Sequence, residues 1–286
     1  GGIDRVCSSA HEAVQHADLV ILAAPLRSYR ALAQAIAPAL KPEAIVTDLG
    51  SVKGSMRAVS ALLPTARIVP AHPIAGSEKS GPDAARADLF SGKLCILTPE
   101  ETSDASAFSA VRALWEMVGA DVIAMPQEIH DQIYAYVSHL PHYIAFIAAH
   151  YFHAQGIRVA PEETVLHQFL RIARSNPRMW TDIALENRAA LLPALATYIA
   201  LLEHFSKELR LAPDPRPAAS QEEERAATKH LLPRLLAASL ISAASLYEQQ
   251  SGTSLRPFGA GGMRDIVAPA AIDPAQDTEA MAHQAL

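Results

Sequence analysis

The sequence predicts an α/β domain followed by an all-helical one. Short apolar runs of β type alternate with amphipathic stretches over residues 18–125, and the strand signal stops after Pro126. Beyond that point the chain is rich in Ala, Leu and Glu and has few β-branched runs. Unbroken apolar strands alternating with helices indicate a mostly parallel sheet buried on both faces. The expected domains are therefore 1–125 and 126–286.

The expected strands are 18–25, 44–50, 66–70, 93–99 and 120–125, with amphipathic helices such as 27–40 and 103–118 between them. The expected helices of the second domain are 127–155, 161–174, 177–210 and 219–250. Pro141 falls inside the first of these, where it removes a helix hydrogen bond and kinks the axis. Pro213, Pro215 and Pro217 mark an internal linker over 211–220. A faint repeat relates His139-Leu-Pro-His142 and its downstream helices to His230-Leu-Leu-Pro-Arg234 and the segment reaching Ile266, suggesting two related halves.

Composition bounds the function. The 286 residues are 50% hydrophobic and 19% charged, with a net charge of -6 and mixed signs along the chain. No basic stripe suggests a nucleic-acid partner. No uninterrupted apolar run reaches the roughly 18 residues needed to span a bilayer. The two cysteines, Cys7 and Cys95, form no disulfide framework, which fits a reducing cytoplasm; Cys95 lies in an apolar run and is expected to be a buried thiol.

A doubly wound domain beside a helical one suggests a nicotinamide enzyme, yet no G-x-G-x-x-G follows a first strand. Gly259-Ala-Gly-Gly262 has no strand before it. The strands present match the later ones of a Rossmann-like sheet, in which the first strand lies at the centre. The chain opens on Gly1 in mid-pattern. The expectation is an incomplete Rossmann-like domain whose first βαβ unit, with its glycine loop and ribose-reading acid, is missing by truncation. At the surviving strand ends, Ala24 and Pro25 would lay backbone along a cofactor. Asp48, Gly50 and Ser51 end the next strand, with Ser51 expected to open a helix whose N–H groups favour a negative group; a plain turn and helix cap is the alternative.

His72-Pro-Ile-Ala-Gly76 is expected to follow the 66–70 strand at the same edge. A histidine there can act as base toward a hydroxyl being oxidised, because its unperturbed pKa lies near neutrality. Taken alone, a structural hydrogen-bonding role is the stronger reading for it, as a solvated helix position is for Arg171. His139/His142 and His150/His153 have H-x-x-H spacing, but no Cys or carboxylate completes a metal site, and none is expected.

The stretches Asp48-Leu-Gly-Ser-Val-Lys53, His72-Pro-Ile-Ala-Gly-Ser-Glu-Lys-Ser-Gly81, Ser138-His-Leu-Pro-His142 and Arg171-Ile-Ala-Arg-Ser-Asn-Pro-Arg-Met-Trp180 stand in the order and spacing of the prephenate dehydrogenase family. The resemblance covers residues 1–205. It implies oxidative decarboxylation of prephenate to 4-hydroxyphenylpyruvate in tyrosine biosynthesis, with hydride transfer to NAD, NADP not being excluded. An arogenate dehydrogenase shares these motifs, and a non-catalytic ligand-binding relative is a third reading. By the resemblance, His72 takes the hydrogen bond of the substrate hydroxyl and Ser51 orients hydroxyl and cofactor. His142 and His139 line the substrate pocket, Arg171 binds a carboxylate, and Glu78 and Trp180 shape the pocket. Gln168 stands where some relatives carry an acidic partner of the arginine. The helical domain is implied to be an all-α dimerisation domain making a homodimer, and the C-terminal half-repeat to complete it.

Overall fold

A computed structural model describes residues 3–76, 85–100, 103–157 and 169–211. Two compact units divide at residue 195. The first opens with a short helix α1 (Ala10–Val14), then strand β1 (Leu19–Leu22), helix α2 (Tyr29–Ile36), strand β2 (Ile45–Asp48), helix α3 (Met56–Leu62) and strand β3 (Arg67–Ile68). These strands form a parallel sheet in the order β1-β2-β3, with Leu19 beside Ile45 and Ile45 beside Arg67. Then come β4 (Ala71–Pro73), β5 (Leu94–Leu97), helix α4 (Ala105–Met117) and β6 (Asp121–Ala124). Val69 N donates to Val46 O and Thr98 N to Pro70 O, so the chain between β3 and β4 bridges the two strand groups.

The sheet is covered on both faces, as the apolar runs predict. Ile45 and Val46 are successive residues that point to opposite sides. Val46 packs with Leu22 and the buried stripe of α2, Tyr29, Ala33 and Ile36, while Ile45 packs with Cys95 and Leu97 and the stripe of α4, Ala107, Val111 and Trp115. Asp104 caps α4 by accepting from Ala107 N at 2.7 Å, which satisfies a donor the helix leaves open at its start. Cys95 is fully buried, and that burial pushes its thiol up to about 12. β1 is paired on one side only among the described residues, and Leu19 and Ile21 on it are 36% and 42% exposed.

Several expectations are corrected by this fold. The strand pairing is mostly parallel, as expected, with the one exception among the described strands that β4 runs antiparallel to β5. His72 sits inside β4, opposite Ile96 of β5, rather than in a loop after a strand. The single helix expected over 127–155 is α5 (Gln127–Tyr134), a π-helical turn (Ala135–His139) and α6 (Leu140–Ala154). Pro141 stands in the first turn of α6, directly after the π turn, and the irregularity in the helix is that π turn, an insertion frequent at functional sites. The helix expected over 177–210 is broken at Asn187 into α7 (Pro177–Glu186) and α8 (Arg188–Leu211). Asn187 turns its amide inward, and Nδ2 donates to Asp131 O at 2.8 Å.

Of the helix expected over 161–174, residues 171–174 form a 3-10 turn, Arg171–Arg174. Its earlier part beyond residue 157, the remainder of the proline linker after Leu211, the 219–250 helix and the half-repeat lie outside the described residues. The second unit is described as the remainder of α8, from Ala196 to Leu211. At 24 residues α8 is long and apolar enough to cross a bilayer by length and composition, a property that the absence of any long uninterrupted apolar run concealed.

Candidate active site

The carboxyl ends of β1 and β2 lie side by side, with Leu22 paired to Asp48. Ligands of open α/β sheets bind beyond such ends. Ala23, Ala24 and Pro25 after β1, and Leu49, Gly50 and Ser51 after β2, are at least partly exposed. Gly50 is pressed against the core. A Cβ there would come within 2.5 Å of Leu26 Cδ2 and 2.9 Å of Tyr29 Oη, so only glycine lets this loop lie flat. Small side chains and exposed backbone at adjacent strand ends suit a dinucleotide laid across them. Ser51 does not open a helix, because α3 begins at Met56 and Ser55 precedes it. The anion-binding helix start expected at Ser51 is therefore replaced by a loop.

Asp48 faces inward and is fully buried, as is Lys53. Lys53 Nζ donates to Asp48 Oδ1 at 2.7 Å and Oδ2 at 2.6 Å. Asp48 also accepts from Gly50 N, Tyr29 Oη and Ala71 N, at 2.9, 3.2 and 3.0 Å. A carboxylate so occupied holds the loop in shape and does not reach a ligand, which corrects its expected place among the cofactor contacts. The pair clamps the residue before His72 at both ends, because Lys53 Nζ donates to Ala71 O at 2.5 Å. Burial pulls the Lys53 ammonium down and Asp48 pulls it back up.

His72 is 8% exposed. Its Nδ1 lies 2.8 Å from His130 Nε2, and His130 Nδ1 lies 2.8 Å from Asp131 Oδ1. Asp131 also accepts from Lys53 N and Gly54 N, each at 2.8 Å. Tyr134 stacks on His130 with centroids 4.5 Å apart and tilts against His72 at 4.9 Å. Burial holds His72 well below the usual histidine range, and His130, Lys53 and His139 add to the effect. The imidazole is thus neutral near pH 7, as a proton acceptor must be.

The second histidine group lies on the π turn and α6. His139 is 1% exposed. Asn187 Nδ2 donates to its Nδ1 at 3.0 Å, and its Nε2 has no partner among the described residues. Burial holds it down at about 4. His142 donates from Nδ1 to Ser138 O at 2.8 Å and stacks on Trp180 at 3.8 Å. Trp180 is buried, its carbonyl accepts from Tyr143 Oη at 2.5 Å, and its indole N–H has no partner among the described residues. Arg171 stands exposed on the 3-10 turn beside α6. Burial lowers the His142 pKa, and the positive charge of Arg171 adds to that.

The structure thus brings together His139, His142 and Trp180, with Arg171 close enough to act on His142, and ties the loop bearing Ser51 to β4 and His72. Glu78 and Gln168 lie outside the described residues. His150 and His153 are exposed near the end of α6. Motif reading alone did not assign roles to His130, Asp131, Lys53 or Asn187. One signal was present for His130: Gln127, His130, Ile133 and Tyr134 make the buried stripe of α5, so a histidine stood where helical spacing calls for an apolar residue.

Comparison with known proteins agrees with this geometry. Residues 1–124 match the family described as prephenate dehydrogenase, nucleotide-binding domain, and residues 126–224 match prephenate dehydrogenase, dimerization domain. A cyclohexadienyl dehydrogenase of Zymomonas mobilis is 39% identical over 233 residues, covering 73% of this chain and 80% of the relative. The crystal structure of prephenate dehydrogenase from Aquifex aeolicus in complex with hydroxyphenyl propionate and NAD+ is similar at 35% identity and TM-score 0.66, over 74% of this chain and 77% of that one. Synechocystis arogenate dehydrogenase is similar at 26% identity and TM-score 0.62, over 74% and 78%.

Proposed function

The chain belongs to the prephenate dehydrogenase family, and on that basis we propose that it carries out the oxidative decarboxylation of prephenate to 4-hydroxyphenylpyruvate. NAD+ is the proposed cofactor and supplies, when bound, the acceptor for the hydride that leaves ring carbon C4. The observation that carries the proposal is His72: a neutral, nearly buried imidazole held on β4 beside the loop that ends β2. It accepts the hydrogen bond of the C4 hydroxyl and so favours departure of the hydrogen on that carbon. Aromatisation of the ring as CO2 leaves supplies much of the driving force, so the protein's work is mainly alignment and polarisation.

Ala24, Pro25 and Gly50 are proposed to line the cofactor, and Ser51 to orient cofactor and hydroxyl together. His139, His142 and Trp180 line the substrate pocket, with Glu78 helping to shape it. Arg171 binds a carboxylate, for which a guanidinium fork is suited. Arogenate is a second substrate reading, favoured by the cyclohexadienyl and arogenate dehydrogenases among the similar proteins. Rates with prephenate against arogenate, and with NAD+ against NADP+, decide between them. His72→Asn should lower kcat by roughly 10²–10⁴ with a far smaller change in KM; an unchanged kcat removes His72 from the chemistry.

The matched dimerization domain suggests a homodimer. Leu192, Ile199, Leu202 and Leu209 are exposed on α8, and burying such a stripe against a second copy is the proposed association. Sedimentation showing a monomer at micromolar concentration would overturn it.

A further inference from the structure

We propose that His130 and Asp131 are positioning residues that fix His72 in one tautomer, with the proton on Nδ1 and the lone pair on Nε2 facing the substrate hydroxyl. The proposal rests on the reading of His72 as the hydrogen-bond acceptor of that hydroxyl.

Each proton along this series of contacts has one place to go. Asp131 accepts from the backbone at both oxygens, Lys53 N on Oδ1 and Gly54 N on Oδ2. Toward His130, 2.8 Å from Oδ1, it again stands as an acceptor, so His130 Nδ1 is the donor. A neutral imidazole carries one proton, and His130 Nε2 is then an acceptor. Its neighbour at 2.8 Å, His72 Nδ1, must be the donor in that contact. The proton of His72 is thereby committed to Nδ1, and Nε2 is left bare. The reverse assignment would set the bare Nδ1 of His130 against a carboxylate oxygen in a buried site, and an unmade buried hydrogen bond costs about 1–3 kcal/mol. Burial also holds His130 below its usual range and disfavours the doubly protonated form.

The rings cannot easily turn to escape this assignment. Tyr134 covers His130 face on and His72 at a tilt. The Asp48–Lys53 pair holds both backbone groups of Ala71. Asp131 fastens the same Lys53 through its backbone N–H, and Asn187 holds Asp131 O. The framework that shapes the β2 loop and the one that sets the histidine proton therefore share Lys53 and Asp131. His130 itself is fully buried with both nitrogens engaged, so it acts through His72 and not on substrate.

The test combines side-chain 15N NMR of the holoenzyme with kinetics of His130→Gln and His130→Leu, the His72 signals being assigned by their loss in His72→Asn. Glutamine can donate its amide to Asp131 and offer its oxygen to His72 Nδ1; leucine can do neither. Expected are a wild-type His72 protonated on Nδ1 and bare on Nε2, the same pattern in His130→Gln with kcat within about tenfold, and a mixed or inverted tautomer in His130→Leu. In the leucine variant kcat should fall by roughly 10²–10⁴ with little change in KM, the scale of lost acid–base assistance. A proton on Nε2 of wild-type His72 overturns the proposal whatever the kinetics, and that readout stands even if the leucine variant fails to fold. Equal kcat in the two variants overturns the positioning role. An inverted tautomer with unchanged turnover overturns instead the underlying reading of His72 as the acceptor.

Discussion

His72 and His139 are both buried histidines, yet His72 Nδ1 meets another imidazole at 2.8 Å while His139 Nε2 meets nothing among the described residues. Around His72 the neighbours are fixed by a framework of charge: Asp48, Lys53 and Asp131 tie the loop after β2 to strand β4 and helix α5 by short hydrogen bonds. Around His139 and His142 the neighbours are aromatic rings, the Asn187 amide and the Ser138 carbonyl, and one polar hydrogen each on His139 and Trp180 is left without a partner among the described residues. Leaving a buried donor unpaired costs about 1–3 kcal/mol, a cost that an arriving ligand oxygen would remove. Labour is divided accordingly. On the proposed function, one group is completed by the protein and would keep a reactive atom in one state, while the other is incomplete and would receive the substrate.

The largest effect should come from removing the cation on the His72 side. Lys53→Met leaves the Asp48 carboxylate fully buried beside an apolar chain, and breaking a buried pair in this way typically costs about 3–5 kcal/mol. Urea denaturation should show a loss on that scale. Adding Asp48→Asn to Lys53→Met should return part of it, because the uncompensated charge is then gone. A loss below about 1 kcal/mol would mean that the pair behaves like a surface contact and does not hold Ala71 in place, and the two sides would then differ less than their contacts suggest.

How much of this contrast was legible in the sequence differs between the two sides. The proposed substrate side stood out in the sequence because its residues cluster in short motifs: His139 and His142 are one helical turn apart, and Arg171 and Trp180 share a decapeptide. The α/β alternation was legible too, since short apolar runs mark the strands, as at Ile45 and Val46 of β2, which are buried on opposite faces. The framework around His72 was not. Asp131 lies 77 and 78 positions from the amides it accepts, and no local period reports a contact that tertiary packing alone creates. The antiparallel β4 was equally hidden, because direction depends on the path after β3 and not on the apolar run. Asp48 was misassigned because a strand-end loop presents some residues outward and some inward, and spacing does not say which; the helix expected at Ser51 begins later, at Met56.

A smaller effect tests whether the buried histidines are kept neutral by their surroundings. His139 has its folded pKa depressed to about 4, with the burial of its ring as the main cause. Its unfolded value is near 6.5. The folded state therefore binds fewer protons than the unfolded state below pH 6.5, and stability falls as pH falls. The contribution is complete above about pH 6.5 and is lost progressively toward pH 4, at a limiting slope of about 1.4 kcal/mol per pH unit for one proton. His72 and His130 are shifted in the same direction and add to the loss. Denaturation midpoints measured between pH 7 and 5 should fall steeply in the wild type and less steeply in His139→Leu. An identical slope in the variant would mean that His139 already titrates near its free value, and the incomplete side would then be open to water.

The smallest predicted effect falls on the proposed substrate side and bears on the kind of ligand it would take. Arg171 is exposed, makes no ion pair among the described residues, and still acts on His142 through its charge. An exposed cation close to His142, in a group that also holds unpaired buried donors, favours a carboxylate that arrives from solvent. Because an exposed arginine is well solvated before binding, its removal should cost about 1.4 kcal/mol, one decade in affinity, and not the larger loss expected for a buried pair. Arg171→Ala should therefore raise KM about tenfold with kcat nearly unchanged, the pattern of binding energy expressed equally in ground and transition states. Arg171→Lys should recover only part of it, since a point charge does not reproduce a bidentate fork. If kcat falls in proportion instead, Arg171 contributes only once the reaction is under way, and the division between a side that binds and a side that reacts would have to be redrawn with the arginine on the reactive side.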